Sequence, residues 1–175
     1  MDKNLNKIVI TALMAAMTCV ATMVITIRIP VTGGYVNIGD TIVLLSAWLI
    51  GGVYGGIAAG LGAALADFMC GYGVYTPGTF VIKFTMAVAA YLVFRLLKNL
   101  GEKAVLRYII SGIVAEAIMV LGYFIYESVI LGFGFAAAGA VIQNITQGVS
   151  CLILGTVTVL SLEKAKVTKR LKRYI

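Results

Sequence analysis

The stretch DFMCGYGVYTPGTFVIK, from Asp67 to Lys83, determines how the rest of this sequence is interpreted. It joins two long apolar segments through a turn rich in glycine, tyrosine, threonine and proline. Asp67 ends the first segment and Lys83 lies inside the second, and a charged side chain in such a segment needs a partner or a functional role. The remaining sequence predicts a helical frame that holds this turn at one face of a membrane.

The composition is that of an integral membrane protein. Of the 175 residues, 61% are hydrophobic and only 12% are charged, whereas soluble domains carry about 25% charged residues. A membrane-crossing helix needs about 20 apolar residues, so the chain has room for five or six helices. We therefore expect an all-α integral membrane protein in which residues 1–175 form a single transmembrane domain, without a soluble catalytic module.

Six apolar segments are separated by turns that contain glycine, proline or charged residues. The second segment is short, and we expect Asp40 to cap its amino-terminal end. Pro77 suits the first turn of the fourth segment, where its missing N–H costs no hydrogen bond. The predicted transmembrane helices cover residues 8–29, 41–50, 56–69, 77–97, 108–131 and 136–162.

The positions of the basic residues predict the orientation of these helices. Six crossings place both termini and the loop between the fourth and fifth helices on one side, and 12 of the 14 lysines and arginines fall there, Lys103 among them. The positive-inside rule makes this side cytoplasmic, so we expect both termini in the cytoplasm. Membrane orientation thus accounts for the net charge of +7, and no nucleic acid partner is expected.

Polar residues embedded in four of the predicted helices lie at a similar depth. At about 1.5 Å of rise per residue, they fall in the outer half of the membrane. A mostly apolar cavity with a few directed polar groups is typical of a small-molecule site. Tyr72, Phe80 and Tyr126 are expected in its aromatic wall. We expect the substrate to contact Asp67, Tyr75, Lys83, Tyr123, Glu127, Asn144 and Gln147.

Other interpretations of these residues remain open. Asp67 and Lys83 could simply neutralise each other across adjacent helices, and most of the tyrosines could belong to an interfacial belt. The three amides at Gln143, Asn144 and Gln147 exceed what helix packing usually requires. They are therefore the strongest sequence signal for a binding site.

Residues for catalysis or for metal binding are scarce. The chain has no histidine, its three cysteines form no CxxC pair, and no phosphate-binding GxxxxGK[ST] motif is present, so we expect neither a metal site nor a cofactor. No nucleophile lies beside a base in a pattern typical of enzymes. If the protein drives uphill transport, ATP must be hydrolysed by another subunit.

The sequence resembles the substrate-binding S component of an energy-coupling factor (ECF) transporter, in the riboflavin-type branch. The specific motifs are GGYVNIGD at residues 33–40, ALAD at 64–67 and YTPGTFVIK at 75–83. Ala12 and Ala16, one turn apart on the first helix, add a strip of small residues that is also compatible with ordinary helix packing.

The resemblance implies a multi-pass protein of a prokaryotic plasma membrane that binds a water-soluble vitamin or precursor, such as riboflavin, pyridoxine or hydroxymethylpyrimidine. It implies three partner subunits, a transmembrane coupling protein and two cytoplasmic ATPases. Ala12 and Ala16 would contact the coupling protein. The loop of residues 31–39, with Gly34, Tyr35 and Asn37, would close over the bound vitamin.

Two other classes of function remain open. In an ion-coupled permease, Asp67, Glu116 and Glu127 would form a proton or sodium path, although such carriers usually contain inverted repeats and this sequence has no convincing repeat. Uptake without the ATPases would support that function. In a membrane scaffold, the alanine strip would be the functional surface and the polar residues would only join helices.

Overall fold

The computed structural model describes residues 3–100 and 104–174. The helices are α1 (Lys3–Val24), α2 (Asp40–Leu49), α3 (Gly52–Met69), α4 (Thr76–Leu96), α5 (Ala104–Ile125), α6 (Val141–Lys164) and α7 (Val167–Tyr174). A π-helical turn, Tyr126–Ile130, extends α5, and a 3₁₀ helix, Gly134–Ala140, precedes α6. Two short strands, β1 (Thr26–Arg28) and β2 (Tyr35–Asn37), follow α1.

The first predicted helix is too long at its carboxyl-terminal end. The chain leaves α1 at Val24, and β1 pairs with β2 in an antiparallel hairpin in which Ile27 lies opposite Val36. Pro30 cannot donate a backbone hydrogen bond within a helix, and Gly33 adopts a φ of +71° in the turn, a conformation that glycine tolerates. The predicted loop of residues 31–39 is therefore largely one arm of a hairpin.

The start of α2 also differs from the prediction. Gly39 occupies the N-cap position, and Asp40 is the first residue of the helix. The Asp40 side chain is fully buried and forms an ion pair with Lys83, so its carboxylate points into the protein. The side chain of Asn37 instead accepts a hydrogen bond from the Gly39 N–H at 2.8 Å.

Among the described residues, five helices are long and apolar enough to cross a membrane. They correspond to five of the six predicted spans. The remaining predicted span is α2, which has 10 residues and is therefore about 15 Å long, about half the hydrocarbon thickness. Six crossings and two cytoplasmic termini stay predictions, and Lys103 lies outside the described residues.

Helix α3 packs closely against α1 and α4 through small residues. A Cβ atom at Gly62 would collide with the backbone oxygen of Ala15 on α1. A Cβ atom at Gly60 would lie 2.9 Å from the backbone oxygen of Phe80 on α4. Missing side chains thus let the three backbones approach, as expected for membrane helices.

The two ends of the helical bundle differ in character. At one end Trp48 donates a hydrogen bond to Ser111 at 3.0 Å and packs edge-on against Tyr108, and the Asn6 side chain donates to the Tyr174 backbone oxygen at 3.2 Å. The hairpin lies at the opposite end, with the last residues of α3 and the first residues of α4 and α6. This second end carries the polar residues that the sequence grouped together.

Candidate functional site

A small cavity lies beneath the hairpin. Its walls come from the hairpin, from α3, α5 and α6, and from the turns next to α4 and α5. The lining residues are Ile29, Gly34, Tyr35, Asn37, Asp67, Tyr75, Tyr123, Glu127, Asn144 and Gln147. Six of the seven predicted substrate contacts and all three predicted lid residues are among them, so the structure brings these residues together. Their role in binding stays a prediction.

Hydrogen bonds between described residues join the hairpin and its turn to the rest of the protein. The Tyr35 hydroxyl donates to Asp67 at 2.6 Å, and the Asn37 N–H donates to the side-chain oxygen of Gln147 at 2.6 Å. The Tyr75 hydroxyl lies 3.0 Å from the Thr32 backbone oxygen. These contacts hold the hairpin over the cavity.

Both tyrosine hydroxyls in these contacts stay protonated near neutral pH. Burial, reinforced by the neighbouring carboxylate of Asp67, raises the pKa of Tyr35 well above its usual value. Burial also raises the pKa of Tyr75 to about 12. Both groups are therefore available as hydrogen-bond donors over the physiological range.

With the hairpin in this position, the cavity is small. Its volume is about 20 Å³, enough for about one water molecule, whereas pockets for small-molecule ligands typically measure about 300–1,000 Å³. With the hairpin in this position, the cavity is therefore too small for a ligand of that size.

Lys83 lies below this cavity and does not line it. It is 3% exposed and forms an ion pair with Asp40, which is 0% exposed. Its ammonium nitrogen also lies 5.2 Å from the centre of the Tyr123 ring. Lys83 is therefore the predicted substrate contact that the cavity lining does not include, and its direct contact with a substrate stays a prediction.

Asp67 and Lys83 do not neutralise each other as the sequence allowed. Asp67 accepts a hydrogen bond from Tyr35, while Lys83 pairs with Asp40. Asp40 was missed as a site residue because an acid immediately before an apolar helix is typical of an N-cap. One signal in its favour was that Lys83 needed an acidic partner and that Asp40, like Asp67, lies at a helix end.

Several hydrogen-bond acceptors of the cavity residues have no partner among the described residues. One carboxylate oxygen of Asp67 and one of Glu127 are buried without a hydrogen bond. The other Glu127 oxygen lies 3.1 Å from the Tyr75 hydroxyl. The side-chain amide of Asn144, on α6, makes no hydrogen bond to another described residue, although Asn144 is only 5% exposed. Unpaired buried acceptors are costly, so this arrangement is suited to a ligand that brings donors.

Four of the predicted wall and path residues do not line the cavity: Tyr72, Phe80, Tyr126 and Glu116. The Tyr72 ring lies 4.5 Å from the ring of Tyr35. Phe80 stacks on Phe84 and packs against Gly60 of α3. Tyr126 donates a hydrogen bond to the Val74 backbone oxygen at 2.6 Å. Glu116 is buried beside Gly148, and neither of its carboxylate oxygens has a hydrogen-bond partner among the described residues. It lies 11 residues from Glu127, or about 16 Å along a helix.

Ala12 and Ala16 are exposed on the outer face of α1. The opposite face of the same helix packs against α3, where Ala15 contacts Gly62. Met17 and Val20, which are also exposed, continue the outer face. The alanine strip is therefore free to contact another protein or lipid, and its role in docking stays a prediction.

Comparisons with known proteins agree on one family. The model for "ECF-type riboflavin transporter, S component" matches residues 2–164. A Pyrococcus woesei protein, described as an uncharacterised protein in the gap 3′ region, is 40% identical over 136 residues, covering 78% of this chain and 87% of the relative. The solved structure of the S component of a bacterial ECF transporter matches with a TM-score of 0.68 and 21% identity, covering 91% of this chain and 97% of that chain. This last similarity concerns the fold.

Proposed function

This chain belongs to the family of S components of ECF-type riboflavin transporters, and we propose that it captures a neutral vitamin rich in hydrogen-bond donors outside the cell. Proteins of this family are the substrate-binding components of transporters and not enzymes. The five long apolar helices agree with a membrane protein.

The observation that carries the substrate proposal is the set of unpaired acceptors around the cavity. Asp67 and Glu127 each keep one carboxylate oxygen without a hydrogen bond among the described residues, and Asn144 adds an amide that can both accept and donate. The side chains of Tyr75 and Tyr123 add aromatic surface to the same cavity. A flat ring with N–H or O–H groups would satisfy these acceptors and stack on the tyrosines.

Riboflavin fits this chemistry, because its ring carries an N–H group and its side chain carries several hydroxyls. Pyridoxine and hydroxymethylpyrimidine present fewer donors on a smaller ring. No lysine or arginine lines the cavity among the residues that the structure describes, and Lys83 is engaged by Asp40. We therefore expect a phosphorylated vitamin to bind more weakly than its neutral form, since the carboxylates would repel the phosphate.

We propose that the protein works with a transmembrane coupling protein and two cytoplasmic ATPases, as the family membership implies. Ala12 and Ala16 form the proposed docking surface for the coupling protein. Both are exposed, and both are small enough to let a second helix approach closely. The hairpin is the proposed lid. Its hydrogen bonds to Asp67 and Gln147, which hold it over the cavity, support this role.

The first experiment is native mass spectrometry and visible absorbance of the detergent-purified protein. A co-purifying yellow ligand with the mass of riboflavin is the expected result. An empty protein would then be titrated with riboflavin, riboflavin 5′-phosphate, pyridoxine and hydroxymethylpyrimidine. Tight binding of riboflavin and weaker binding of its phosphate support the proposal, whereas preference for the phosphate would contradict the proposed cavity chemistry.

The ion-coupled permease remains the second candidate, because the buried carboxyl of Glu116 has no hydrogen-bond partner among the described residues and such groups in membranes often have functional roles. Uptake of labelled vitamin in cells that lack the two ATPases distinguishes the two functions. We expect no uptake in these cells. Uptake that persists there and is lost in Glu116→Gln would support the permease.

A further inference from the structure

We propose that Asp40 and Lys83 form a positioning pair that fixes which end of the Gln147 side-chain amide faces the hairpin and the cavity. This inference rests on the proposed function for its ligand readout. It assigns a role to two buried charged residues that do not line the cavity. The role concerns the selection of a ligand and the closure of the lid.

The orientation of the Gln147 amide is determined by its two partners. Its nitrogen donates to a carboxylate oxygen of Asp40, and its oxygen accepts from the Asn37 backbone N–H at 2.6 Å. A carboxylate can only accept here and a backbone N–H can only donate. Both contacts therefore require the same amide orientation, with the Gln147 oxygen toward the hairpin.

Asp40 is in turn held in place by Lys83. The ammonium group of Lys83 binds one carboxylate oxygen of Asp40, and Gln147 binds the other. All three side chains are at least nine-tenths buried, so water cannot easily replace a missing partner. The three residues come from α4, α2 and α6, and they link the interior of the protein to the hairpin.

Several hydrogen bonds hold Asn37 in a fixed position. Its N–H binds Gln147, its backbone oxygen lies 3.6 Å from the Cys151 sulfur, and its side chain binds the Gly39 N–H. Gln147 and Cys151 are one turn apart on α6. The carboxyl-terminal end of β2 is thus bound to one face of α6. Of these contacts, the one made by the Gln147 oxygen depends on the Asp40–Lys83 pair, because Asp40 binds the nitrogen of the same amide.

Replacing Asp40 by asparagine should reverse this arrangement. The new amide can accept from Lys83 through its oxygen and presents an NH₂ group to Gln147. Gln147 can then accept from that group only by turning its oxygen away from the hairpin, which brings its own NH₂ group toward the Asn37 N–H. Two donors would face each other, so the lid should close less firmly and a donor-bearing ligand should lose an acceptor.

The test is a double-mutant cycle with Asp40→Asn and Gln147→Met, read out by riboflavin affinity. We expect Asp40→Asn alone to weaken binding about tenfold, as for a buried polar group that loses its partner. In the Gln147→Met background the same substitution should change affinity less than about twofold, because the amide through which Asp40 acts is gone. Equal losses in both backgrounds would overturn the proposal.

A second readout needs no ligand. Hydrogen exchange of the peptide that covers Thr26–Asn37 should be faster in Asp40→Asn than in the unmodified protein, and the two Gln147→Met variants should not differ from each other. If riboflavin does not bind the unmodified protein, the proposed function fails and this exchange comparison still tests the positioning pair. Unchanged hairpin exchange in Asp40→Asn would overturn the inference.

Lys83 has to keep a partner for the protein to fold well, since an unpaired buried charge is strongly destabilising. If Asp40→Asn does not fold, the cycle is repeated with Asp40→Leu and Lys83→Met together, which removes both charges and leaves the Gln147 nitrogen without its acceptor. A loss of affinity that again depends on Gln147 is expected. A double variant with normal affinity and normal hairpin exchange would overturn the role of the pair.

Discussion

Asp40 and Asp67 show that two aspartates at helix ends serve different purposes in this protein. Asp40 is enclosed by Lys83 and Gln147 and has no free oxygen. Asp67 keeps one oxygen without a partner among the described residues and lines the cavity. A carboxylate that is fully paired organises its surroundings, whereas one that is half-paired can still accept a hydrogen bond from a ligand.

Asn144 provides the most direct test of the cavity. Its amide lies in the cavity wall and makes no hydrogen bond to another described residue, so replacing it removes little from the ligand-free protein. We expect Asn144→Ala to weaken riboflavin binding about tenfold, the usual effect of one lost buried hydrogen bond. Fluorescence titration of the purified protein measures this change.

The matched control for Asn144 is Thr146→Ala, on the same helix. Thr146 is exposed, and among the described residues its hydroxyl bonds only to the Ile142 backbone oxygen, at 2.9 Å. This control should bind riboflavin with unchanged affinity. If Asn144→Ala behaves like the control, the substrate does not use the α6 wall of the cavity.

The hairpin is an element that cannot be stable by itself. It has only three residues in each strand, and an isolated two-stranded hairpin is marginal in water. Its position depends on the contacts of Tyr35 and Asn37 with α3 and α6. Moving it therefore requires these hydrogen bonds to break and Ile29, which is 2% exposed, to be uncovered.

The packing of α1 on α3 depends on Gly62. Because a Cβ atom there would collide with the Ala15 backbone oxygen and approach Thr18, we expect Gly62→Ala to lower the free energy of unfolding by about 1–3 kcal/mol, as overpacking usually does. Thermal unfolding in detergent gives the measurement. Gly73→Ala serves as the control, since no atom lies within 4 Å of its added Cβ. Equal melting temperatures for both variants would show that α1 can shift without cost.

The outer face of α1, which carries the alanine strip, is the proposed contact with the coupling protein. Ala16→Trp adds a bulky side chain to the exposed alanine strip, so it should abolish ATP-dependent uptake while leaving riboflavin affinity unchanged. Ala12→Trp should act in the same way. Ala117→Trp, an equal change at an exposed alanine of α5, is the control and should retain uptake. Loss of ligand binding in Ala16→Trp would argue against a docking role for this face.

For the molecule as a whole, the closed hairpin determines how a ligand enters. The closed cavity holds only about 20 Å³, so the proposed lid has to open before riboflavin, the proposed substrate, can bind. The observed binding rate should therefore level off at high riboflavin concentration, at the rate of opening. Stopped-flow measurement of riboflavin fluorescence gives this rate, and a linear rise at all concentrations would contradict gated entrance.

Two matched substitutions test whether the hairpin sets the limiting rate of riboflavin binding. Tyr35→Phe removes the 2.6 Å hydrogen bond to Asp67 and should raise the limiting rate several-fold, as expected for about 1 kcal/mol of lost interaction. Tyr91→Phe removes a hydroxyl at the opposite end of the protein, where it contacts Arg95 at 3.2 Å. The second variant should leave the limiting rate unchanged.

Much of the site could be predicted from the sequence because helical periodicity is local. Gln147 and Asn144 share a helix, and their spacing alone places them on adjoining positions of one face. The depth of Asp67 and Glu127 followed from their distance to the helix ends. The partner of Lys83 could not be predicted in this way, since it depends on how α2 and α4 are rotated against each other.

The sequence alone was sufficient to identify a helical membrane protein, the approximate positions of five long spans, and six residues that meet at one cavity. These features follow from segment length, hydropathy and spacing, which are properties of neighbouring residues. Only the tertiary structure showed that Lys83 pairs with Asp40, that Glu116 lies apart from the cavity, and that a hairpin covers the site. Those features depend on side chains that are distant in sequence, whose contacts are decided by the packing of whole helices.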